Sequence, residues 1–155
     1  MDKNLKNYID LITKPQDDLN GLSICPYLKK YLKSVRWSYA DDEQTIVINN
    51  INIVKEMQND LGSTFVWIIK WDIDYDELHY LRQRQQGLYE KQDIEFLYIG
   101  KGQGKDDKQP LKGINYVYEH DSLLVMQRRS TLLNARKELA KTTKYYDLWQ
   151  KLKQA

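Results

Sequence analysis

The sequence predicts a single compact α/β domain in which a central mixed sheet of about four or five strands is covered by helices. Three observations carry this. Thr64-Phe65-Val66-Trp67-Ile68-Ile69 is an unbroken apolar run, and a run without alternation implies a strand buried on both faces. Ile94 to Ile99 and Leu123-Leu124-Val125-Met126 are two further buried strands of the same kind. Segments of helical periodicity separate them, and helices alternating with buried strands need a sheet with a layer on each face.

The elements follow in chain order. Tyr8 to Ile12 predicts a short helix that ends before Pro15, and Asp17 to Ser23, with Gly21, reads as a connecting loop. After Cys25-Pro26, Leu28, Tyr31, Leu32 and Val35 recur at helical spacing, with Lys29, Lys30 and Lys33 on the outer face. Val35 to Tyr39 and Thr45 to Ile48 are β-rich and predict a hairpin around Asp41-Asp42-Glu43. Asn49 or Asn50 then caps a helix with Ile53, Val54, Met57 and Leu61 inward, stopped by Gly62. Beyond the central strand, Asp74 with Glu77 resembles a capping box for a helix through Gln86, ended by Gly87. Gly100 to Gly113 is a polar, glycine-rich loop. Ser130 caps a helix carrying Leu132, Leu133, Arg136, Leu139 and Ala140. A last helix, roughly Thr143 to Lys153, sets Tyr146, Trp149 and Leu152 along one side.

Composition narrows the class of protein. The 155 residues are enough for one real core, and no repeat or domain boundary interrupts them. Twenty-four basic residues against 22 acidic give a net charge of +2, too small to indicate nucleic acid. A single cysteine cannot form an internal disulfide, so a reducing, cytoplasmic setting is expected. No apolar run has the length of a membrane span, and Met1-Asp2-Lys3-Asn4 does not open a secretory signal.

The lone cysteine is the most pointed chemical feature. Pro26 is preorganised for the first helical turn, which places Cys25 near the N-cap. Free N–H groups and the positive helix end, with Lys29 close by, would favour a thiolate; the alternative is a small buried hydrophobe. His120, beside Glu119 and Asp121, is the histidine that would pair with Cys25 in a Cys–His couple, against the alternative of a solvated loop histidine. One Cys and two scattered His cannot supply a structural zinc set. Asp72, Asp74 and Asp76 open like a calcium loop, but Glu77 and Gln83 stand where the glycine and the bidentate glutamate are needed. No cofactor is implied.

Two basic features suggest an anion. In Gly100-Lys101-Gly102-Gln103-Gly104-Lys105, successive N–H groups and two lysines would cradle one, with Lys101, Gly102 and Gly104 as contacts, although the spacing matches neither common nucleotide motif. Arg128 and Arg129 follow a buried strand, so one faces inward and needs an anionic partner. That partner is either a ligand or, the favoured reading, a structural acid.

Short stretches resemble known families. Cys25-Pro26-Tyr27 resembles the first three residues of the glutaredoxin site, with Leu28 in place of the second cysteine. Tyr98-Ile99-Gly100 resembles half of the GIY-YIG nuclease signature, without the partner Gly-Ile-Tyr strand. Gly21-Leu22-Ser23-Ile24-Cys25-Pro26-Tyr27 and Ser122-Leu123-Leu124-Val125-Met126-Gln127-Arg128 together are similar to an uncharacterised bacterial and phage domain family. Its members carry a Gly-Leu-x-x-Cys-Pro-Phe/Tyr segment and a late strand ending in arginine. That resemblance implies a site at Cys25 and Arg128 in a protein of bacterial or phage origin.

The sequence thus predicts a pocket near Cys25. In the enzyme version, Cys25 is a thiolate supported by Lys29, and Arg128 holds a small anionic substrate. In the binding version, Arg128 and the Gly100–Lys105 loop take a small anion or a host protein. A degenerate nuclease is the third reading.

Overall fold

The computed structural model describes residues 2–30, 32–60, 63–105, 111 and 116–154. Four strands form one sheet in the order β1-β2-β4-β3: β1 Val35–Ala40, β2 Thr64–Ile69, β3 Ile94–Ile99 and β4 Ser122–Arg128. β1 pairs parallel with β2, while β4 runs antiparallel to both β2 and β3. β3 is therefore parallel to β1 and β2, and the sheet is mixed as expected. All six residues of β2 are buried, because this strand has a neighbour on each edge and a helical layer on each face.

The two layers are supplied by different parts of the chain. α3 (Glu43–Met57) and α4 (Tyr75–Leu88) cover one face, where Ile46, Val54, Met57, Leu78 and Leu81 pack on Phe65, Trp67, Phe96, Leu124 and Met126. α1 (Lys3–Thr13) covers the other, where Leu5 and Ile9 meet Val66, Ile68 and Leu123, with Leu28 of α2 (Pro26–Lys30) beside them. A smaller cluster joins Leu19 and Leu111 to Tyr145, Trp149 and Leu152 of α6 (Tyr145–Gln154), which follows α5 (Arg129–Thr142). No helix among the described residues is long and apolar enough to cross a membrane.

Several expected elements are corrected. Thr45 to Ile48 lies in the first two turns of α3 and not in a hairpin strand, because Asp42 caps the helix: Oδ1 accepts from the Thr45 N–H and hydroxyl, both at 2.8 Å. β1 consequently reaches β2 by a helical crossover. Asn50 does not cap a helix but lies wholly buried inside one, accepting from Trp67 Nε1 at 2.8 Å and donating to Gln85 Oε1 at 2.9 Å. Gly87 sits inside α4, which runs on to Leu88. In α5 the inward residues are Leu132 and Ala135, and Leu133 is exposed. Tyr31, Leu61, Gly62 and much of the Gly100–Gly113 loop lie outside the described residues.

The outer edge of β3 is closed by side chains. Gln86 donates to the Ile94 carbonyl and accepts from the Phe96 N–H, each at 2.8 Å, and Arg82 Nε donates to the Phe96 carbonyl at 2.7 Å. Amide and guanidinium groups of α4 thus stand in for a fifth strand, leaving less edge for another chain to pair with.

Candidate functional site

On the face of the sheet opposite α3 and α4, a partly open cavity of about 350 Å³ lies between the layers. Its floor comes from matched positions of the two central strands, the short pair Val66 and Val125 and, beside it, Thr64 opposite Gln127. Leu5, Tyr8 and Ile9 of α1, Leu28 of α2, and Leu132 of α5 form much of the rest. Val66, Val125 and Thr64 are short, and beneath separate helices they leave volume in the size range of small-molecule sites.

Polar groups at this cavity are few. Among the described residues no acidic side chain lines it, and the single cation is Arg136 of α5. Gln127 Oε1 is buried with no hydrogen-bond partner. Burial pushes the Tyr8 hydroxyl up to about 12, so it stays protonated. Trp37 adds an indole wall.

Cys25 lines this cavity. Its N–H donates to the Ile12 carbonyl at 2.8 Å and its carbonyl accepts from the Lys29 N–H at 3.2 Å, which fixes it between α1 and α2. The Tyr145 hydroxyl donates to the preceding Ile24 carbonyl at 2.5 Å. Burial pushes the Cys25 thiol up, against the opposing effect of hydrogen bonds from the Leu28 and Tyr27 N–H groups. This direction is opposite to that of the expected thiolate: burial weighs more than the end of a five-residue helix, and Lys29 is exposed and outside the cavity lining.

The other predicted site residues lie elsewhere. Along β4, Leu123, Val125 and Gln127 face the cavity while Leu124 and Met126 face α3 and α4, and Arg128 follows the second set. Arg128 and Cys25 are therefore on opposite sides of the sheet. The Arg128 side chain, 10% exposed, bonds Asp93 Oδ2 at 3.2 Å and the Met57 and Gln58 carbonyls at 2.8 and 3.2 Å. Its donors go to protein groups, as the structural reading of an inward arginine expects.

His120 and Lys101 come together with each other but not with Cys25. They line a second, polar pocket of about 350 Å³ at the ends of β2, β3 and β4, beside Lys70, Asp72 and Asp121. Asp121 accepts from Lys70 at 3.2 Å and from the Tyr118 hydroxyl at 3.0 Å. The expected backbone cradle is not open there. The N–H groups of Gly100, Lys101 and Gly102 donate to Gln103 Oε1, Ser122 Oγ and the Tyr118 carbonyl, and those of Gln103 and Lys105 to carbonyls within the loop. Gly102 and Gly104 take positive φ angles of 70° and 86°, so both serve the turn itself. Gly100 lies under Tyr75, whose ring a Cβ would approach to 3.1 Å. The hydroxyl of Tyr98 is hydrogen-bonded to His79 Nδ1 at 3.2 Å. Among the described residues no cluster of three metal-ligating side chains occurs.

Gln127 was not expected at a site and Arg136 was read only as a residue of the helix after Ser130, although each left a signal. Gln127 is a polar residue in register with inward Leu123 and Val125, and Arg136 falls one turn after inward Leu132. Comparison with known proteins finds no matching family model, no matching curated protein and no matching solved structure. The class that fold and site define is a mixed-sheet α/β domain with an apolar cavity between sheet and helices.

Proposed function

We propose that this protein binds a small, mostly apolar molecule between its sheet and the α1, α2 and α5 layer. The observation that supports this is the cavity of about 350 Å³, walled by carbon and carrying one unpartnered acceptor, Gln127 Oε1. Tightly packed interiors fill such volume, and an empty apolar space forfeits dispersion contacts that a ligand would restore. An N–H or O–H on the ligand would satisfy Gln127.

Calorimetric titration with decanol tests the reading. Saturable one-to-one binding that Val125→Phe abolishes, in a variant that still unfolds cooperatively, is the expected result. A wild-type protein that takes up no such compound would overturn it.

A second reading is thiol chemistry at Cys25 on a molecule held in the same place. It is supported by the position of Cys25 on the cavity wall, and the upward pKa shift weighs against it.

A further inference from the structure

We infer that the molecule held in the cavity is an amphiphilic carboxylic acid, its apolar body against Val66 and Val125 and its head group at Arg136. This rests on the apolar-ligand reading above and adds the sign and place of the ligand's charge.

Charge complementarity points to the acid. Among the described residues lining the cavity there is no Asp or Glu, and Arg136 is the sole cation. Among the described residues Arg136 makes no hydrogen bond or ion pair, whereas Arg36, Arg82, Arg84, Arg128 and Arg129 each hold a carboxylate. It is also exposed, so its guanidinium keeps water until a ligand arrives and bears little desolvation penalty. Lining an apolar cavity while reaching solvent is what places a long cationic side chain at a mouth.

The surroundings agree with this polarity. Tyr27 lines the same cavity near Arg136, and its hydroxyl contacts that of Tyr146. A phenol beside a guanidinium offers donors to a carboxylate, and the planar fork of arginine matches its two oxygens. The carboxylate would thus remain at the rim as the chain passes inward, and a hydroxyl farther along that chain would be the group that meets Gln127. A cationic head would meet Arg136 with no acid in the lining to offset it.

Titration of the full chain with decanoate, decanol and decylamine, each below its aggregation concentration, tests this. Decanoate is expected to bind about tenfold more tightly than decanol, the size of one partly exposed charge-assisted contact, with decylamine weakest. Arg136→Met should bring decanoate to within about twofold of decanol while leaving decanol unchanged, and Arg136→Lys should restore part of the difference. Equal binding of decanoate and decanol would overturn the inference while leaving the apolar cavity standing. So would an equal loss of all three ligands in Arg136→Met. Failure of every chain to bind would overturn both readings.

Discussion

Arg128 and Asp93 join the end of one strand to the start of its neighbour, with Arg128 Nη2 3.2 Å from Asp93 Oδ2. Asp93 stands at φ 59°, directly before β3, and it also caps α5. Its Oδ1 accepts from the Ser130 N–H at 3.0 Å, its Oδ2 from the Ser130 hydroxyl at 2.6 Å, and its carbonyl from the Arg129 N–H at 2.8 Å. Arg128 continues to the last carbonyls of α3, where a cation also meets the negative helix end. Asp93→Ala removes a cap and leaves a largely buried guanidinium short of its counter-ion, so a loss of about 2–4 kcal/mol is expected. Denaturant unfolding of Asp93→Ala, Arg128→Met and the double variant should return a coupling of about 1–3 kcal/mol. Additive losses would show that the pair is adjacent without being coupled.

The same carboxylate sets a pH dependence. Burial alone would raise Asp93, but the Ser130 hydroxyl and N–H, with Arg128, hold it below the usual carboxylate value. The unfolded chain therefore binds the proton first as pH falls, and stability rises with pH across that interval. Asp93's contribution is fully present above about pH 4 and is lost as pH falls through the folded value. Asp93→Asn keeps the cap oxygen and tolerates the left-handed backbone, so it should flatten the acid limb of stability against pH. An unchanged acid limb would assign it to other carboxylates.

The buried amide network gives a prediction on the other face. Asn50 at 0% exposure links Trp67 to Gln85. Asn50→Ala would strand the indole N–H and the Gln85 oxygen inside the core, a cost of about 2–4 kcal/mol. Adding Gln85→Leu should recover part of this, because it removes one stranded group while the indole remains unpaired. Urea midpoints of the two variants measure it; a double variant less stable than the single would contradict this account.

What the sequence made legible follows from how local each cause is. β2 could be read because burial on both faces writes itself into six consecutive residues. The start of α3 was missed because Ile46, Val47 and Ile48 are β-rich, while the deciding bonds come from Asp42. Asn50 looked like a cap because only the fold shows Trp67 and Gln85 around it. Ser130 likewise looked like the cap of α5, whereas the capping carboxylate is 37 residues away. Cys25 was rightly placed at a helix start, but its thiol answers to burial contributed by other segments. The cavity draws on α1, α2, α5 and all four strands, so no single stretch announces it.

Cys25 alkylation separates the two readings of that residue. Burial pushes the thiol pKa up, so the folded protein should alkylate more slowly at neutral pH than the unfolded chain and show a higher apparent pKa than it. Rates measured against pH, with and without urea, provide the check. A folded thiol that outpaces the unfolded one near neutrality would reinstate the thiolate, and with it the enzymatic reading.

Gln127 offers a test of the cavity that needs no ligand. Its Oε1 is buried and unpartnered, so the folded state bears the desolvation of that carbonyl without a compensating bond. Leucine at this position would keep similar bulk beside Val125 and delete the stranded oxygen. In the ligand-free protein, Gln127→Leu should therefore be neutral or stabilising by about 1 kcal/mol, the reverse of the usual effect of altering a buried residue. Stability functions are rarely optimised where a site must stay open for binding, and a gain here would mark Gln127 as retained for recognition. Thermal and urea unfolding of the two proteins decide the sign. A loss greater than about 1 kcal/mol would mean that this oxygen accepts a bond in the folded protein, and Gln127 would then be a packing residue with no claim on a ligand.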